Sequence, residues 1–340
     1  MHDVNAVISA IATHIPRGRL TNEELSARPG GWPVEQIYEK TGIRCRPIAE
    51  PGECASDLAH SAALRLIESK RLDPESIDAV LFCTQSPDYV LPPSACILQH
   101  RLGLPRRILA LDYNLGCSGY VAGLALAKGL VESRQARRVL LLTGDTYSKF
   151  IHPEDRSVCT LFGDGASATV VSAEQSTDRG VGATVFGTDG RGAPQLIVPA
   201  GGARCPRSPE TALVVKDSDG NERSSDNLYM NGREVFRFAI TTVPTCVEEL
   251  MAKAGWDRDS TDFLVLHQAN KFMVSELTRK LGWPADKVPL YVENLGNTVS
   301  STIPFLLEKM IEEGEVVPGT RLLLVGFGVG YSWAGAAVTW

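Results

Sequence analysis

Three short phrases of this chain carry side chains able to do acyl chemistry. Cys117 stands in NLGCSGY (114–120), just after Gly116 and directly ahead of a helix-like run, VAGLALAKGLVES. A helix N-terminus offers free N–H groups and a positive dipole end, which favour thiolate over thiol. Strand, tight turn, nucleophile and helix in that order follow the logic of a nucleophile elbow, with sulfur in place of oxygen. His267 closes an apolar, strand-like run in VLHQAN, and the C-terminal end of a strand in an α/β fold faces the ligand crevice. Asn297, in NLGNTVS (294–300), repeats the approach to Cys117 with an amide where the thiol was. Nucleophile, base and orienting amide make a set of the cysteine-protease kind, and the same groups can serve a thioester condensation. Of the other histidines, His152 in IHPEDRSV could also approach the site, whereas His2, His14, His60 and His100 have no evident partner.

The elements that would position these groups recur in order. DAVLFCTQ (78–85) and DFLVLHQA (262–269) each give an acidic residue, an apolar strand and a polar turn. LQHRLGLP (98–105) and LTRKLGWP (277–284) close the helical stretches that follow. LDYNLGC (111–117) and YVENLGN (291–297) then open amphipathic helices, which end before RRVLLLTGD (137–145) and TRLLLVGFG (320–328). Strand–helix alternation with apolar strands predicts parallel pairing covered by helices on both faces. The repeat predicts two βαβαβ halves, 1–175 and 176–340, with the Cys117 and Asn297 corners opening into one cleft across a pseudo-twofold axis.

Composition sets outer bounds. A length of 340 residues, 44% hydrophobic and 22% charged, is that of a globular protein with ample core. A net charge of −6 argues against nucleic acid as the main partner. No apolar run has the length to span a bilayer, so no membrane insertion is expected, and the N-terminal residues carry no secretory pattern. The expected compartment is the cytoplasm. Eight cysteines without a C-x-x-C pair predict neither disulfides nor a zinc site.

The remaining segments shape rather than react. GFGVG (326–330) is too near the C-terminal end of the sequence for a dinucleotide fold, and reads as a turn presenting backbone N–H groups to an oxyanion. FGDGASATVV (162–171) reads as a turn into a buried strand. The Gly/Pro-rich stretches 199–228 and 21–57 read as surface excursions, the first a flap over an entrance, the second a ligand entry or subunit contact. Arg101, Arg106, Arg107, Lys128, Arg134, Arg137 and Arg138 make the region around Cys117 locally basic, either a solvated face or a docking site for acidic or phosphate groups.

Taken together, GCSGY, HQAN (267–270), GNT (296–298), FGDGA, GFGVGYSWAGAAV, TGIR (41–44) and MNGREVF (230–236) resemble the β-ketoacyl-acyl carrier protein synthase III family, from about residue 4 to the C-terminal end. The resemblance implies a thiolase-like α/β fold, a five-layered α-β-α-β-α sandwich, and a homodimer. It also implies a Cys117–His267–Asn297 triad, with backbone N–H groups of Cys117 and Val329 as oxyanion hole and no cofactor. The implied partners are acyl carrier protein, an acyl-CoA or acyl-carrier donor and a malonyl thioester. The implied reaction is decarboxylative condensation to a β-ketoacyl thioester. The alternative is transfer of the acyl group from Cys117 to an alcohol, amine or other acceptor, and a remote one is a non-catalytic carrier-binding partner. Asn270, Arg156, Leu91 and Phe272 fall at substrate- or pantetheine-contacting positions. Three departures stand out: Gln36 where the family places an adenine-stacking tryptophan, with Trp32 four residues earlier; Phe272 where an arginine is common; and Val329 in place of a glycine.

Overall fold

The runs RVLLL and RLLLV are buried on both sides, and their alternation sorts the molecule into layers. The structure is a computed structural model that describes residues 4–28, 30–175 and 178–340. His2, and residues 1–3 and 176–177 of the two expected halves, lie outside the described residues. In the strand Arg138–Asp145, Val139 and Leu141 point to one core while Leu140 and Leu142 point to another. In Arg321–Gly328, Leu322 and Leu324 join that first, central core, and Leu323 and Val325 join a third. Period-two alternation with apolar side chains on both faces is what a sheet covered on both sides requires.

Two sheets result. The first runs Val4–His14, Gly165–Gln175, Arg138–Asp145, Ala79–Cys83, Leu109–Tyr113 in spatial order. The second runs Gly180–Thr188, Ser332–Thr339, Arg321–Gly328, Phe263–Leu266. In each, a parallel pair (Ala79–Cys83 with Arg138–Asp145; Phe263–Leu266 with Arg321–Gly328) is extended by two antiparallel strands.

The helices Gly119–Glu132 and Thr302–Glu312 lie between the sheets. Tyr120, Val121, Leu124 and Val131 from one, and Ile303, Leu306, Leu307 and Met310 from the other, share the central core with residues of both sheets. Each fully buried Leu there contributes about 1.5–3 kcal/mol, more than a helix cap supplies. Packing therefore fixes where these two helices start. Ala55–Glu68 and Ser94–Arg101 cover the outer face of the first sheet, and Gly232–Ala254 and Lys271–Leu281 that of the second. The result is the α-β-α-β-α sandwich of a thiolase-like fold.

The repeat departs from the sequence pattern at one place. Leu109–Tyr113 is a strand, but its counterpart Tyr291–Leu295 is a turn in which Leu295 and Gly296 N–H both bond Val292 O. Arg44 and Cys45 N–H take Glu293 O at 2.7 and 3.2 Å, and the Arg44 guanidinium holds the Glu293 carboxylate at 2.5 Å. TGIR thus diverts this segment from the sheet edge toward the site.

Candidate active site

Cys117 lies between the strand Leu109–Tyr113 and the helix Gly119–Glu132, 6% exposed. The end of Arg321–Gly328 presses on this corner. A Cβ on Gly326 would stand 2.6 Å from Cys117 O, and one on Gly328 3.0 Å from Cys117 Sγ. Gly326 and Gly328 therefore belong to a strand that needs close backbone approach, and only Val329–Gly330 lie beyond it as the turn. This corrects the reading of GFGVG as a turn throughout. Ser118 Oγ and Ser332 Oγ lie 2.7 Å apart, and Ser332 donates to Val329 O at 2.8 Å, tying the Val329 turn to the neighbour of Cys117.

Burial, and then the Asp145 carboxylate, push the Cys117 thiol up to about 12. The expected thiolate is not the resting form. The cysteine is walled in by apolar neighbours, and an acid stands behind it, which together outweigh the helix N-terminus.

His267 extends the strand Phe263–Leu266, its N–H bonded to Val325 O at 2.8 Å. The ring is 1% exposed and packs edge-on to Phe327, with centroids 5.6 Å apart. Burial depresses its pKa to about 3, so the imidazole is neutral. Nδ1 lies 2.7 Å from Thr302 Oγ1, which leaves Nε2 for the cavity.

Asn297 is pinned from both sides: its N–H bonds Leu161 O at 2.9 Å and its C=O accepts from Gly163 N at 3.1 Å. FGDGA thus clamps the NLGN corner. Gly296 adopts φ +62°, and a Cβ there would stand 2.6 Å from Leu161 O, so no other residue fits the clamp. Asn297 Oδ1 accepts from Val299 N–H at 2.9 Å, leaving Nδ2 as a donor. Val299 holds φ +55°, a strained conformation for a β-branched residue that its buried surroundings must hold, and in it the Val299 N–H reaches the Asn297 side-chain oxygen.

Sequence reasoning missed several groups. Asp145, fully buried, accepts from Ser300 Oγ at 2.6 Å and Gln85 N–H at 2.8 Å, joining the segment after Asn297 to the end of the strand Ala79–Cys83. Burial raises its carboxyl to about 7. Its signal was an acid at the end of an apolar strand, where Gly328 stands in the second half. Tyr147 donates to Gln85 Oε1 at 2.5 Å, and Gln85 Nε2 to Asn114 Oδ1 at 2.9 Å. Those three residues border a second cavity of about 350 Å³ with Leu196, Leu228 and Val329. Cys117 packs in the same apolar cluster as Tyr147, Leu196, Leu228 and Val329.

A larger cavity of about 500 Å³ is lined by Cys117, His267 and Asn297, together with Asn270, Arg156 and Phe272. Asn270 caps the helix Lys271–Leu281, its Oδ1 accepting from Met273 N–H at 2.8 Å, so Nδ2 remains for a ligand. Phe272 is half-exposed and stacks on Phe236, with centroids 5.3 Å apart. Trp32 lines the same cavity, with Lys40 Nζ 4.4 Å and the Arg156 guanidinium 5.9 Å from its ring centre. Arg156 also donates to Gly30 O and, at 3.2 Å, to Asp219 O, so both sequence excursions meet at this mouth. Lys40, Arg156 and Arg233 line it, and among the described residues no carboxylate does.

Leu91 lines neither cavity within this chain. It lies 78% exposed beside Tyr89 and Val90. The basic residues around Cys117 do not line the mouth either, and Arg101 and Lys128 are paired with Asp57 and Glu132. Among the described residues no cluster of His, Cys, Asp or Glu could hold a metal ion, and no helix is long and apolar enough to cross a membrane.

Residues 111–190 match the family described as 3-oxoacyl-[acyl-carrier-protein (ACP)] synthase III, and residues 251–340 match its C-terminal part. The beta-ketoacyl-[acyl-carrier-protein] synthase III of Caldanaerobacter subterraneus subsp. tengcongensis is 35% identical over 337 residues, covering 99% of this chain and 98% of that one. A 3-oxoacyl-(acyl-carrier-protein) synthase III crystal structure superposes with a TM-score of 0.97 at 55% identity, covering 99% of this chain and 100% of that chain. A 3-oxoacyl-(acyl-carrier protein) synthase from Burkholderia xenovorans LB400 does so with a TM-score of 0.90 at 37% identity, covering 100% of this chain and 95% of that one.

Proposed function

The chain belongs to the 3-oxoacyl-[acyl-carrier-protein] synthase III family, and on that footing we propose that it is a condensing enzyme working in two half-reactions on Cys117. The observation that carries the assignment of roles is the convergence of Cys117, His267 and Asn297 on one cavity wall.

In the first half-reaction Cys117 Sγ attacks the carbonyl of an acyl thioester. The negative charge gathers on the carbonyl oxygen, where the backbone N–H groups of Cys117 and Val329 receive it. The carrier thiol departs with the cysteine's proton. A thiol held neutral until substrate fills the cavity suits this order, because the N–H groups have an oxyanion to receive only once the sulfur has attacked the substrate carbonyl.

In the second, a malonyl thioester enters by the same mouth. Its thioester oxygen accepts hydrogen bonds from His267 Nε2–H and Asn297 Nδ2–H. The C–C bond to the carboxylate breaks, CO₂ leaves, and the electron pair becomes an enolate stabilised by those two donors. The enolate carbon attacks the acyl-cysteine carbonyl, the sulfur is expelled as a thiolate that takes a proton from solvent to return to the resting thiol, and a β-ketoacyl thioester results. Neutrality of both donors serves this step, since neither takes a proton from the substrate. His267, with a depressed pKa, is suited to it.

The carboxylate-free mouth with Lys40, Arg156 and Arg233 suits the phosphate of a pantetheine arm, and Asn270 Nδ2 suits one of its amides. The second cavity, walled by Leu196, Leu228 and Val329, suits the acyl chain. The halves 1–175 and 176–340 are part of the same proposal: the first sheet draws its strands from residues 4–175 and the second from 180–339. The exposed Tyr89–Val90–Leu91 stretch supports a homodimer that covers it.

The test is acylation followed by chase. The protein is incubated with acyl donors on coenzyme A and on carrier protein, and the adduct on Cys117 is sought by intact mass. Malonyl carrier protein is then added and CO₂ measured. Acylation without CO₂ release sinks the condensation reading in favour of transfer to another acceptor. No adduct from any donor sinks the acyl-cysteine itself.

A further inference from the structure

Thr302 is one of the polar groups that the resemblance did not assign, and it meets the catalytic histidine directly. Both side chains are buried, and Thr302 Oγ1 lies 2.7 Å from His267 Nδ1. A hydroxyl has one proton to give and two lone pairs to receive with. Three neighbours contend for them. The Gln268 N–H lies 3.4 Å from Oγ1 and can only donate. The Val299 carbonyl lies 3.3 Å away and can only accept. Nδ1 can do either, depending on the tautomer.

The approach of the Gln268 N–H places a donor on one Oγ1 lone pair and turns the hydroxyl proton away from that side. The proton can go to Nδ1 at 2.7 Å or to Val299 O at 3.3 Å. The second choice would leave Nδ1–H to donate to Oγ1, but 3.3 Å is long for a hydroxyl donor and 2.7 Å is the short limit of an N–H···O bond. A hydroxyl proton on Nδ1 suits the 2.7 Å contact. We propose that Thr302 donates to His267 Nδ1 and thereby holds the imidazole as its Nε2–H tautomer, with Nε2–H aimed into the cavity.

This rests on the condensing reading for its consequence, since that reaction needs His267 as a neutral donor at Nε2. Thr302 is a positioning residue: it acts on the substrate only through the ring. Asn297 is held by the same short segment, because Val299 gives its N–H to Asn297 Oδ1. The four residues from Val299 to Thr302 therefore orient both donors, one through a backbone amide and one through a hydroxyl. The edge-on contact with Phe327 fixes the plane of the imidazole but leaves its tautomer open, so a hydrogen-bonding partner must set it.

The experiment reads the tautomer without substrate. With ¹⁵N-histidine-labelled protein at pH 7, the His267 Nδ1 resonance should fall in the range of an unprotonated ring nitrogen and Nε2 in that of a protonated one. Thr302→Val removes the hydroxyl at nearly constant volume, and should bring the two resonances together. Thr302→Ser should restore the wild-type pattern. In step with this, Thr302→Val should slow malonyl-dependent CO₂ release from the acylated protein by about 10–100-fold, the usual effect of losing a partner that orients a reactive histidine. Acylation of Cys117 should change by less than about 3-fold, since the orienting bond acts on the other half-reaction.

A protonated Nδ1 in the wild-type protein overturns the proposal, and needs no variant to be seen. So does a Thr302→Val protein that releases CO₂ at the wild-type rate, or one that loses both half-reactions equally. A protein with the Nε2–H tautomer that never releases CO₂ from malonyl thioesters would instead indict the condensing reading, so the two failures are separable.

Discussion

Gly328 lies so close to Cys117 that a Cβ at position 328 would stand 2.9 Å from the cysteine Cβ and 3.0 Å from its sulfur. One sheet's strand end is thus the floor beneath Cys117, which the other supplies. Gly328→Ala should displace Sγ from its seat and slow acylation by roughly 10–100-fold, with a loss of about 1–3 kcal/mol in stability from overpacking. Gly326→Ala, whose new methyl would meet Cys117 O at 2.6 Å, should destabilise more, since backbone yields less readily than a side chain. Equal behaviour of the two variants in urea melts and acylation rates would argue against this division.

His267→Ala and Asn297→Ala should separate the half-reactions. On the proposed roles each variant lacks one donor to the malonyl thioester oxygen, which predicts a fall of roughly 10²–10³-fold in CO₂ release. Cys117 should still be acylated in both, at a smaller loss. Rates of adduct formation and of CO₂ release, measured on the same preparations, check this. A parallel loss in both would move His267 into the acylation step as a base.

The pH dependence of stability should carry two opposed signatures. His267 has a folded pKa of about 3 against an ordinary 6.5, so between those values the unfolded chain holds more protons and stability falls as pH drops. Asp145 has a folded pKa of about 7 against 3.8, so over that window the folded chain holds more protons and stability falls as pH rises. Asp145→Asn should therefore gain on the wild-type protein as pH is raised from 4 to 7, by up to about 1.4 kcal/mol per pH unit, and the difference should level off above 7. It should also hasten alkylation of Cys117, because the acid behind the thiol is gone. A stability offset constant in pH would contradict the assignment.

Arg156 ties Gly30 and Asp219 across the mouth and stands beside Trp32. Arg156→Ala should raise KM for phosphopantetheine-bearing donors while leaving kcat and a short N-acetylcysteamine donor nearly unchanged. Steady-state kinetics with both donor types checks this, and an equal effect on the two would remove phosphate recognition from its role.

Much of this was legible in the sequence, for a physical reason. Continuous apolar runs such as VLLL and LLLV announce sheets covered on both faces, and the glycines around Cys117 and Asn297 announce tight corners. Reading GFGVG as a turn failed because glycine marks both turns and close approach, and only the position of Cys117 across the gap distinguishes them. The corner YVENLGN gave no sign that Tyr291–Leu295 turns where its counterpart Leu109–Tyr113 is a strand, because that is decided by TGIR, with Arg44 and Glu293 249 positions apart in sequence. Asp145, Thr302 and the Tyr147–Gln85 pair were invisible for the same reason. Their partners come from other elements, and an acid, a threonine or a tyrosine carries no local sign that such a partner exists. The thiolate expectation for Cys117 considered the helix dipole alone, since burial cannot be read from the seven residues of its motif.

The central claim is that acyl-Cys117 is discharged by a carbon nucleophile born of decarboxylation. A rapid-quench single turnover tests it most directly: pre-acylated protein is mixed with malonyl carrier protein, and loss of the Cys117 adduct, CO₂ release and β-ketoacyl product are followed together. The account predicts one CO₂ and one β-ketoacyl thioester for each adduct lost, on a common time course. Adduct lost without CO₂, or with the acyl group found on an oxygen or nitrogen acceptor, would contradict it.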